Sequence, residues 1–190
     1  MTTYTLVYPP AHNDTYVKAT TKFATTYWPY FATDPAKSLT GDRGNNEWGS
    51  GSGSITNQRF HIDLGSSKII RRIYYENSHH FGTDTSTGAK NFALQGSNEV
   101  TAFSELAYAT DTNWTTIGTY QFDIHVSADQ VDPKYILIAN TVAYRYYAMK
   151  ISDCWGGGTY SFMALRRLVL QTEDGYTPEI GGFIPRVIIF

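Results

Sequence analysis

An all-β fold of two packed antiparallel sheets is the architecture this chain predicts, on three observations. Apolar runs of strand length, alternating or continuous, recur along it; turn residues separate them; and no window sustains a 3.6-residue apolar period. With 190 residues there is room for one well-formed core but not for two ordinary domains. The cleanest element is Gln58-Arg59-Phe60-His61-Ile62-Asp63-Leu64, where Phe60, Ile62 and Leu64 share one face and Gly65-Ser66-Ser67 ends the run. A second strand is expected over Lys68–Tyr75. Further strands are expected over Asn91–Gly96, Trp114–Ile117, Tyr135–Ile138, Arg145–Ile151 and Leu165–Leu170. With the early stretch Tyr16-Val17-Lys18-Ala19 the total comes to about eight, enough for a jelly roll of two sheets.

The long connections are polar, glycine-rich and aromatic, and a scaffold of this kind presents its function there. Residues 34–57 hold five glycines, and Asn77–Lys90 holds His79, His80 and Phe81. Ser152–Tyr160 holds Asp153 and Trp155 ahead of Gly156-Gly157-Gly158. These divisions predict an N-terminal arm over 1–15, a sandwich over 16–172 and an apolar C-terminal tail over 173–190, broken by Gly181-Gly182 and Pro185. The tail carries Phe183, Ile184, Val187, Ile188, Ile189 and Phe190, residue types suited to adding a strand to a neighbour's sheet edge, so assembly is expected there.

Charge and composition exclude several classes. Fifteen basic against 17 acidic residues give a formal charge of -2, with no basic block to track a phosphate backbone, so nucleic acid is not expected as a partner. No apolar run approaches the roughly 20 residues that span a bilayer, and the first residues lack the basic start and apolar run of a secretory signal. The single cysteine, Cys154, cannot form an internal disulfide. No nucleophile elbow, phosphate loop or His-Glu-x-x-His motif is present, so no catalytic residue is assigned. His79-His80 with Asp84 could suggest zinc, but adjacent histidines point apart.

The order of motifs from Tyr16 to Gln171 resembles the discoidin, or coagulation factor V/VIII type C, family of galactose-binding-like domains. Tyr27-Trp28-Pro29-Tyr30-Phe31-Ala32-Thr33-Asp34 is similar to the family's lead into its first long loop, and Trp48-Gly49-Ser50 to its Trp-x-Ser. Phe60-His61-Ile62-Asp63-Leu64-Gly65, Phe92-Ala93-Leu94-Gln95-Gly96-Ser97-Asn98, Trp114-Thr115-Thr116-Ile117 and Tyr144-Arg145-Tyr146-Tyr147 resemble four further family motifs in the same order. With Pro9-Pro10 ahead of it, this variant looks most like copies in tail and surface proteins of bacterial viruses.

The resemblance implies a recognition or structural module rather than an enzyme. A virion surface role is expected, with other virion or assembly proteins as partners through the tails after synthesis in the cytoplasm. A stand-alone glycan-binding or adhesion module, or an accessory domain of a carbohydrate-active system, is the alternative, with a cell-surface glycan as partner. Family members often hold calcium or sodium beside the first loop, which would place Asp34 or Asp42 among the ligands. No cofactor is expected here, because Arg166-Arg167 stands where the family has a glutamate, and Arg167 can supply the positive charge instead. The family's sugar-reading Arg and His are also missing, with Glu76-Asn77-Ser78 and Gly49 in their places. The ligand-binding candidates that remain are Trp155, His79, His80, Phe81 and Asp153, converging on one rim. The alternative is that Trp155 packs on its own loop and the histidines are solvated.

Overall fold

The computed structural model describes residues 2–156 and 161–178, in two five-stranded sheets with every pairing antiparallel. The strands are β1 (Tyr4–Val7), β2 (Val17–Ala19), β3 (Trp48–Gly49), β4 (Gln58–Lys68), β5 (Arg72–Asn77), β6 (Asn91–Ser97), β7 (Thr115–Gln121), β8 (Lys134–Leu137), β9 (Tyr144–Ile151) and β10 (Ala164–Glu173). One sheet runs β1-β10-β5-β8, with β3 paired to the start of β10; the other runs β2-β4-β9-β6-β7. The all-β sandwich read from the sequence is therefore the fold. The tail residues Phe183, Ile184, Val187, Ile188, Ile189 and Phe190 lie outside the described residues.

Between the sheets the core is built as the alternation requires. Phe60, Ile62 and Leu64 of β4 meet Leu165, Leu168 and Leu170 of β10, with Phe92, Leu94, Tyr147 and Met149 filling the layer. Each such side chain contributes about 1.5–3 kcal/mol on leaving water.

Four departures from the sequence reading have local causes. First, β4 continues past Gly65 to Lys68. Gly65 takes a left-handed φ of 73°, its N–H donates to Asp63 Oδ1 at 2.7 Å, and pairing with β9 resumes at Lys68–Tyr144 after a register shift. Second, within the expected N-terminal arm, residues 4–7 form β1, paired with β10 from Tyr4–Glu173 to Val7–Leu170. Third, Trp114 precedes β7 and lies in a second cluster with Ala102, Phe103, Tyr146 and Ala148. Fourth, that cluster forms under a short helix, α1 (Val100–Ser104), which caps the outer face of the β4 sheet. Arg59, His61 and Asp63, the polar side of β4, are thus buried as well as its apolar side.

Candidate functional site

The registers bring four connections to one end of the sandwich. Ala19 pairs with Phe60, Gln58 with Ile151, Phe92 with Ile151, Asn91 with Gln121, Tyr75 with Lys134, and Leu165 with Asn77. Loops 20–57, 78–90 and 122–133, with residues 152–156 and 161–163, must therefore share a rim.

The first loop is anchored there by an arginine. Leu165 pairs with Asn77 and Arg167 with Glu76, so Arg166 is the extra residue of a β-bulge, a device that re-aims a side chain. Its guanidinium is fully buried. Nη1 donates towards the carbonyls of Ser38, Thr40 and Asp42 at 3.3, 3.3 and 3.4 Å, and Nη2 towards Gly41 and His79 at 3.2 and 2.5 Å.

The two candidate cation ligands, Asp34 and Asp42, lie in the same loop. Asp34 Oδ1 accepts the Ala36 N–H at 2.9 Å, and Asp42 Oδ1 accepts the Gly44 N–H at 3.0 Å, each closing a local turn. Arg167 reaches the Lys37 carbonyl at 2.7 Å instead; Arg166 is the arginine at the centre of the loop. The residues here do not fit a hard cation, because the positively charged Arg166 guanidinium occupies the point where the carbonyls converge. Among the described residues, no three His, Cys, Asp or Glu side chains are grouped to hold a metal, His80 and Asp84 included.

The five ligand candidates all lie at this end but do not form one surface. His79 is buried and stacks on His125 at 4.1 Å. Its Nε2 bonds the Leu39 carbonyl at 2.9 Å, and its Nδ1 accepts the Gly82 N–H at 3.0 Å, so it is an interior strut and not a solvated residue. Burial lowers its pKa to about 4. Asp153 accepts from the Asn91 backbone N–H and side-chain amide, both at 2.9 Å, fastening the start of β6. Trp155 donates from Nε1 to the Phe122 carbonyl at 3.0 Å, and Lys90 Nζ stands 4.5 Å from its ring centre. Both belong to the β6–β7 side. His80 and Phe81 instead sit over the first loop, where the Phe81 N–H donates to the Gly41 carbonyl at 3.1 Å.

Arg43 joins these two to the rest of the rim, and the sequence reading missed it. Its Nε donates to His80 Nδ1 at 3.3 Å, its Nη2 pairs with Asp84, and its guanidinium lies 5.3 Å from the Phe162 ring centre. Nη1 is buried without a partner among the described residues, so the guanidinium acts as a strut beneath the rim. Phe162 packs with Phe23 and Tyr27 at centroid distances of 5.0 and 5.7 Å. Gly49 makes this closure possible: a Cβ there would come within 3.0 Å of Tyr27 and 3.1 Å of Phe162. Phe81 is 57% exposed and Phe23 42% exposed. A band of exposed aromatic edges thus brackets a guanidinium held in a fixed orientation. Only the run Gly41-Asp42-Arg43-Gly44 marked it in the sequence, since Asp84 lies far along the chain.

A second concavity, a trough of about 590 Å³, lies on the outer face of the β4 sheet. It is lined by Asn91, Ala93, Tyr108, Thr119, Gln121 and Lys150, among others.

No protein-family model and no curated protein sequence matches the chain. Solved structures do. Chitosan-binding module 1 from a chitosanase/glucanase of Paenibacillus sp. IK-5 aligns with a TM-score of 0.52 at 18% identity, over 81% of this chain and 92% of the module. The family 32 carbohydrate-binding module of C. perfringens NanJ, solved with galactose, gives 0.56 at 12% identity over 90% and 100%. The corresponding module of AlyQ, solved with 4,5-unsaturated mannuronic acid, gives 0.53 at 13% over 87% and 97%. The chain thus shares the two-sheet β-sandwich fold of these carbohydrate-binding modules.

Proposed function

We propose that this chain is a non-catalytic carbohydrate-binding module that reads a glycan at the rim around Arg43. The observation that carries the reading is the bracketing of a fixed guanidinium by the exposed edges of Phe81 and Phe23. A pyranose offers an apolar face to an aromatic ring and equatorial hydroxyls to planar donors and carboxylates. Asp42 and Asp84, whose side chains are exposed, would accept from such hydroxyls, while Arg43 holds Asp84 and His80 in place beneath them. Galactose, chitotriose and an unsaturated uronic acid are bound by structural neighbours, which supports the ligand class without choosing among its members. The same likeness favours the glycan-binding alternative over a virion surface role, for which no feature of the described residues argues.

A glycan array followed by calorimetric titration tests the reading. Binding is expected, and Phe81→Ala should weaken it about three- to tenfold, the loss of one stacking contact, with the melting temperature unchanged because Phe81 is exposed. A blank array, or binding indifferent to Phe81→Ala, contradicts it.

A further inference from the structure

We propose that the Arg166 guanidinium is the built-in cation of the first loop, holding the rim in place of a metal ion and making its architecture metal-independent. Ser38, Thr40, Gly41 and Asp42 turn their carbonyls to one point, and the carbonyl of His79 arrives from a second loop. Converging buried oxygens of this kind need a positive charge at their centre. A guanidinium offers five N–H donors in one plane. Here the donors on Nη1 and Nη2 serve all five carbonyls, and Nε faces the fully buried Glu47 carboxylate at 3.8 Å. Glu47 is fixed in turn by the Ser78 hydroxyl at 2.8 Å. The cage therefore ties the first loop, the 78–84 loop and β10 into one unit. Arg166 touches no surface that a ligand could reach, so it acts as a positioning residue.

The bulge explains why an arginine can serve. In regular register Arg166 would alternate with its neighbours on a sheet face; as the extra residue it turns into the loop instead. Lysine would put a point charge with three donors at the centre and leave some carbonyls without a partner. Glutamine would remove the charge. Glutamate would add a carboxylate beside Glu47 and the five carbonyls, an oxygen set of the kind calcium takes.

Melting of the full chain in EGTA and in millimolar calcium tests this without reference to any glycan, so its failure and that of the glycan reading are distinguishable. The wild type is expected to melt at the same temperature in both. R166Q should melt about 5–10 °C lower in both, R166K between R166Q and the wild type, and R166E should recover several degrees in calcium alone. A wild type that gains several degrees from calcium overturns the proposal, as does R166Q melting like the wild type or R166K melting no higher than R166Q. Should R166E fail to fold, these other arms decide the matter.

Discussion

Gly82 shows how little freedom single residues have at the rim. Its φ is 76°, and a Cβ there would lie 2.4 Å from the Asp129 nitrogen and 2.5 Å from the Ala128 carbonyl carbon. Both are backbone atoms that cannot swing aside. Gly82→Ala should therefore cost about 3 kcal/mol by denaturant unfolding and disturb the His79–His125 stack beside it; a near-neutral change would show that the two loops are not in fixed contact. The sequence made part of this scale legible. An arginine as the loop's positive charge was legible in Arg166-Arg167, yet the role was assigned to Arg167, because a bulge leaves no mark in residue types. His79 and His80 looked alike, though one is interior and the other meets Arg43. Whether a loop histidine finds a carbonyl depends on a contact with Leu39, distant in the chain, and no local pattern encodes that.

At the scale of elements, β4 carries the clearest lesson. Its apolar face was evident from alternation, and its strand position followed. Its polar face is buried as well, because Arg59 organises the 105–114 loop above it. Nε donates to the Ala107 carbonyl at 3.0 Å, Nη1 to Gln95 Oε1 at 2.9 Å, and Nη2 to Asp111 and the Thr110 carbonyl. Removing such a hub leaves its acceptors buried without donors. Arg59→Leu should lower stability by about 3 kcal/mol and speed amide exchange across residues 105–113 while the sandwich strands stay protected. Uniform exchange over the chain would contradict the view of that loop as a separately pinned unit. α1 and β1 escaped the sequence reading for a common reason. Each is short, and each is stabilised by the sheet it joins more than by its own pattern.

For the molecule as a whole, buried titrating groups predict an acid-sensitive fold. His61 is fully buried, its Nδ1 bonds the Phe103 carbonyl at 3.0 Å, and burial lowers its pKa from 6.5 to about 4. His79 is shifted the same way to about 4. Because the unfolded chain takes up these protons first, their contribution is complete above pH 6.5 and is lost as pH falls towards about 4. Glu47 has the opposite sign. Burial raises its pKa from 4.5 to about 7, so its contribution is complete below 4.5 and is lost as pH rises through about 7. Two histidines outweigh one glutamate, so the melting temperature should fall from pH 6.5 to 4, and His61→Asn should flatten the slope. An unchanged slope would mean that His61 is not held neutral.

The same whole-molecule view locates recognition at one end of the sandwich and not on its sheet faces. Mapping amide chemical-shift changes as galactose, chitotriose and a uronic-acid oligosaccharide are titrated in tests that placement most directly. The account predicts shifts concentrated on Arg43, His80, Phe81 and Asp84 for at least one of these sugars. Shifts confined to the trough by Tyr108 and Lys150, or none with any of them, would contradict it.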